Sequence, residues 1–135
     1  MDETKYGKYI RNAEGLSPVG TPMIKLVSDP DYGGPDFTLG LGVTTKSNMD
    51  GGQPHRHDFA QYLGFFGTDP DNLMDLGGSE IELTLGEERE VNVITKGSIV
   101  YIPKGLLHLP LVLKTIKKPL ISLNMYFSHE YIRKP

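Results

Sequence analysis

A chain of 135 residues, 38% hydrophobic and 23% charged, is long enough for one buried core and too apolar to be disordered, so residues 1–135 are expected to form a single domain. Its net charge of −3 argues against the basic face a nucleic-acid partner requires, and it has no apolar run near the ~20 residues a membrane helix needs. There is no cysteine, which rules out disulfides, thiolate ligands and a cysteine nucleophile, leaves any metal to nitrogen and oxygen donors, and suits a reducing cytoplasm.

The chain opens on the polar run Met-Asp-Glu-Thr-Lys-Tyr with no apolar stretch behind it, so no signal peptide is expected. Residues 1–20 are weakly patterned and read as an arm laid against the domain or a partner chain. Short apolar segments then predict strands over 23–27, 37–45, 53–57, 61–66, 80–85, 90–95, 98–102, 108–112 and 120–127. Glycine and proline clusters separate them: 29–35, 50–52, 69–72 and 103–105. No segment keeps a helical period for three turns, and residues 71–78 have room for one helical turn at most. The expected class is all-β.

Three of the four histidines fall in two short motifs. The first is Pro54-His55-Arg56-His57, with Gln61 shortly after. The second runs from Gly97 through Pro103-Lys104-Gly105 to His108. Side chains alternate along a strand, so His55 and His57 share a face while Arg56 points away as a surface or interface charge. A third imidazole from a neighbouring strand, His108, can complete a facial set of nitrogen donors. Such a set suits Zn, Fe, Ni or Cu, and Mn where oxygen ligands join. Leu106, Leu107 and Leu109 keep open a core histidine at 108. His129 sits in a polar tail with no evident partner, and 114–118 reads as a solvated turn.

Together the two motifs resemble those of the cupin family, double-stranded β-helix (jelly-roll) barrels. Gly97, Pro103, Gly105 and His108 stand at the spacing of the family's second motif, and His55 and His57 at the histidines of its first. The resemblance covers residues 51 to about 112, and the stretch 62–72 also resembles a group of small bacterial and fungal cupins. Three positions depart from the pattern: Met49 stands at the opening glycine, with Gly51 and Gly52 close by, Val112 at the closing asparagine, and Gln61 where the family carries a metal-binding glutamate. The resemblance implies a divalent metal (Fe, Mn, Zn or Ni) on His55, His57, His108 and Gln61. Gln61 could coordinate through its carbonyl oxygen or hydrogen-bond a ligating histidine from behind.

Leu63, Phe65, Tyr101, Met125 and Tyr126 are the candidates for the wall of a substrate pocket, with core packing the default reading for all five. Both faces of 120–127 are largely apolar, so parity cannot choose between Met125 and Tyr126. Glu80 and Glu82 share one face of their strand. It is read as the wet face, the alternative being a carboxylate beside the metal. The function implied is a small-molecule metalloenzyme of dioxygenase, isomerase or lyase/decarboxylase type. A non-catalytic ligand-binding or sensing module is the second reading, and a vestigial barrel kept for interaction the third. Apolar sheet surface left over on so small a barrel predicts a homodimer.

Overall fold

The computed structural model describes residues 4–11, 24–27, 32, 37–47, 49–128, 134 and 135. Nine strands follow one another: β1 (Ile24–Val27), β2 (Thr38–Thr44), β3 (Met49–Gly51), β4 (Gln61–Phe66), β5 (Glu80–Leu85), β6 (Glu90–Ile94), β7 (Ser98–Ile102), β8 (His108–Thr115) and β9 (Leu120–Tyr126). Among the described residues the only helical element is a 3₁₀ turn at Gly7–Tyr9, in the described part of the N-terminal arm. The rest of that arm, residue 23 of the first predicted strand and His129 lie outside the described residues.

The strands form two antiparallel sheets, ordered β1-β2-β9-β4-β7 and β3-β8-β5-β6. Alternation in the sequence builds the core between them. In β5, Ile81 and Leu83 turn inward and are wholly buried, each contributing about 1.5–3 kcal/mol of apolar burial. Phe65 and Leu120 meet them from the larger sheet, with Leu76, Ile94 and Ile116 completing the cluster. Glu80 and Glu82 take the opposite parity and stand outside, each carboxylate 3.4 Å from the Lys114 ammonium.

One expectation is corrected. Residues 53–57 are not a strand: the third strand is Met49–Gly51, and His55 and Arg56 make only isolated bridges. Pro54 has no N–H to give to a ladder, and Gly52 at φ 84° turns the chain before it. Residues 71–78 hold hydrogen-bonded turns, with Asn72 and Asp75 side chains accepting the backbone N–H groups of Met74 and Gly77.

This loop docks on Gly97, the opening glycine of the second motif. The Gly97 N–H donates to the Met74 carbonyl at 2.7 Å, and a Cβ at 97 would fall 2.7 Å from the Met74 Cα. Backbone cannot yield there as a flexible side chain would. Gly97→Ala is therefore expected to destabilise the protein by about 1–3 kcal/mol, read as a fall in melting temperature with the β-sheet circular dichroism retained.

Candidate metal centre

The backbone brings the two motifs together. His55 and His108 pair as an antiparallel bridge, each N–H donating to the other's carbonyl, at 3.0 and 2.9 Å. The Gly105 N–H donates to the His57 carbonyl at 2.9 Å. Gly105 makes this turn at φ 85°, a conformation open to glycine at no steric cost. On its other edge the first motif is held by the C-terminus, where Arg56 and Lys134 exchange two backbone hydrogen bonds of 2.7 Å.

A bulge aims His108. Leu83 faces Leu111 while Leu85 faces His108, so β8 spends one residue more than β5 over that interval. Leu109 takes the strain at φ 82°, in the left-handed region that non-glycine residues rarely occupy.

The result is three buried imidazoles, with His55, His57 and His108 offering ligand atoms within 4.8 Å of one another. Their ring centroids stand 4.7 Å (55–57), 4.6 Å (55–108) and 5.0 Å (57–108) apart. His55 Nδ1 lies 2.9 Å from the Gln53 carbonyl, and His108 Nδ1 2.9 Å from the Leu106 carbonyl. A carbonyl can only accept, so Nδ1 is the donor in both bonds, and a neutral ring so bound has on Nε2 the lone pair a cation needs. His108 Nε2 is buried and makes no hydrogen bond. The His57 ring stacks on Phe59 at 4.5 Å, and Phe59 stacks in turn on Tyr126 at 5.2 Å.

Burial holds the pKa of His108 down at about 4, against an ordinary 6.5, and repulsion from His55 and His57 adds to it. The bond to Leu106 pulls the other way. A neutral ring is the form that binds metal. In the metal-free protein the sign follows from linkage. Between pH 6.5 and about 4 the unfolded chain takes up a proton that the folded chain refuses. Stability from this group is thus full above 6.5 and drains away as pH falls toward 4. Melting temperatures of metal-free protein across that window should decline, and His108→Gln should flatten the decline.

The structure places the other predicted residues unequally. Gln61 is 3% exposed, its Nε2 donates to Asn124 Oδ1 at 2.7 Å, and its Oε1 is buried without a partner. One N–H of its amide therefore goes to Asn124. Tyr126, opposite Gln61 in register, shares its inner face and reaches His57 through Phe59. Leu63 and Phe65 also point inward but belong to the core: Phe65 is part of the buried cluster and Leu63 packs against it. Tyr101 and Met125 do not join that inner face. Both lie opposite Tyr62, on the outer face of the large sheet, and Tyr101 is 53% exposed. Phe59, Asn124 and Lys134 were not anticipated. Asn124 was within reach of parity, since it must share the face of Tyr126.

No protein-family profile matches this sequence, and no curated protein matches it. Solved structures do. A cupin 2 conserved barrel domain protein from Salinispora arenicola matches 88% of this chain and 87% of its own, at TM-score 0.52 and 16% identity. The chain has the cupin fold. The polyketide cyclase RemF from Streptomyces resistomycificus matches 84% of this chain at TM-score 0.51 and 18% identity. An oxalate oxidase in complex with the substrate analogue glycolate matches 91% at TM-score 0.51 and 12% identity. This cupin barrel spans only 66% and 61% of the latter two chains. At such identities the likeness carries the fold alone. Among the described residues, no helix is long and apolar enough to cross a membrane.

Proposed function

We propose that residues 1–135 form a single-domain cytoplasmic cupin that holds one divalent transition metal (Fe, Mn, Zn or Ni) on His55, His57, His108 and Gln61 and acts on a small oxygenated molecule. The carrying observation is the convergence of three buried imidazoles, two with Nδ1 tied to backbone carbonyls. The unpartnered, buried Gln61 Oε1 is what a cation's fourth donor would look like. A metal so held would supply Lewis acidity or a redox centre to a substrate bound at its open positions. Iron would favour a dioxygenase, and Mn, Zn or Ni an isomerase or a lyase/decarboxylase. The Phe59–Tyr126 stack would give such a substrate an aromatic wall beside His57. Neighbours on this fold named as a cyclase and an oxidase support the enzyme reading by analogy.

One observation favours a second reading, a non-catalytic ligand-binding or sensing module. Glu80 and Glu82 stand outside against Lys114, so neither can act as a base at this neutral donor set. Elemental analysis of protein purified without an affinity tag tests the metal. A screen of oxygen consumption and substrate loss against small hydroxy and keto acids then separates enzyme from binder. A metal-free preparation that stays metal-free on titration would remove the metalloenzyme reading and leave a metal-free binding module.

The proposal includes a homodimer with no nucleic-acid or membrane partner. The outer face of the large sheet supports it: Leu39, Leu41, Leu123 and Met125 share that face with Ile99 and Tyr101, which are 62% and 53% exposed. Ile99→Glu with Tyr101→Lys is expected to shift a dimeric species to monomer by light scattering without loss of metal.

A further inference from the structure

A glutamine side chain has two ends of nearly equal size and opposite polarity. Its shape alone does not decide whether oxygen or NH₂ is presented to a ligand. A cation accepts only the oxygen. The decision at Gln61 therefore has to come from a neighbour, and Asn124 is that neighbour. Asn124, diagonal to Gln61 on the inner face where β4 meets β9, has its Oδ1 2.7 Å from Gln61 Nε2. Turning the Gln61 amide over alone would set its oxygen against the Asn124 oxygen, acceptor against acceptor, and a joint turn of both amides would present NH₂ to a cation. The other end, Oε1, is left buried and without a partner, a cost the fold does not bear without compensation from a bound group.

We infer that Asn124 is a positioning residue: by taking up the Gln61 N–H it fixes the carbonyl oxygen as the end offered to a cation, and so lets a neutral amide stand in a metal site. The inference rests on the metal reading above. It separates Asn124 from the ligands themselves, because Asn124 acts only through Gln61. It also makes the pair conditional: Asn124 matters because residue 61 is an amide. A carboxylate at 61 has an oxygen at either end and needs no such choice made for it.

The test is a Co(II) titration of metal-free protein, followed by visible absorption, with melting temperatures on the same samples. Asn124→Leu should weaken Co(II) binding by about 10–100-fold, the range for losing a residue that orients a ligand. It should also change the ligand-field spectrum, since the donor at 61 is no longer held. Asn124→Asp keeps an acceptor of the same shape and should restore wild-type affinity or better, with the wild-type spectrum. In the Gln61→Glu background, Asn124→Leu should cost less than about threefold, a coupling that a merely structural role would not produce. Equal losses in both backgrounds, or wild-type affinity in Asn124→Leu, would overturn the role of Asn124 and leave the metal reading standing. Absence of Co(II) and Zn(II) binding by the wild-type protein would remove both.

Discussion

Replacing His57 with alanine is expected to take bound metal well below one ion per chain while the barrel still folds. His55→Ala should do the same. Each removes one of three imidazoles whose ligand atoms lie within 4.8 Å of one another, leaving two histidines and a neutral amide. Losing a ligand outright should cost more than the about 10–100-fold typical of losing a residue behind one. Folding should survive because the buried cluster around Phe65, Ile81, Leu83 and Leu120 contains none of the histidines. Destabilisation should be moderate and largest for His57, which is 2% exposed and gives up its stack with Phe59. His108 allows a sharper test. As a ligand, His108→Gln loses metal; as a core histidine satisfied by Leu106, it loses melting temperature and keeps metal. Both quantities measured on one sample decide the matter, and full metal occupancy in all three variants would sink the site.

The parts of this molecule that were legible in the sequence are those written in local chemistry. Alternation in Glu80-Ile81-Glu82-Leu83 places the carboxylates outside and the aliphatics in the core with no knowledge of the partner strand. Spacing in the two histidine motifs brings His55, His57 and His108 forward as a set, and the set is buried together. What was not legible depends on register between distant strands. The face of β9 cannot be read from its own residues, because apolar side chains occupy both sides. It is decided by Gln61 lying opposite Tyr126 and Tyr62 opposite Met125, a pairing across some sixty residues of chain. The same register sends Tyr101 outward and puts Asn124 beside Gln61. The misplaced third strand has another cause. His-x-His alternates as a strand does, but Pro54 and the turn at Gly52 leave it only bridges to His108 and Lys134.

Gln61→Glu is expected to tighten metal binding. The substitution leaves side-chain size unchanged and replaces a dipole by a full negative charge, at a residue 3% exposed whose oxygen has no protein partner. In a site so screened from water, attraction to a divalent cation should exceed the about 1 kcal/mol of a solvent-exposed ion pair, which is upwards of about fivefold in affinity. Asn124 need not oppose the change, since its amide can turn to donate to the new carboxylate. Without metal the same charge is buried at a position only 3% exposed, so the metal-free variant should melt lower than the wild type and recover more on loading. The added charge also makes the metal less electrophilic. An activity that depends on Lewis acidity should therefore fall as affinity rises, whereas a sensing module would only shift its metal or ligand threshold. Titration of metal-free protein with Zn, Mn and Fe(II), wild type against Gln61→Glu, reads the first effect, and turnover of any substrate found reads the second. Unchanged or weaker affinity for all three metals would take Gln61 out of the ligand set and leave a site of three histidines.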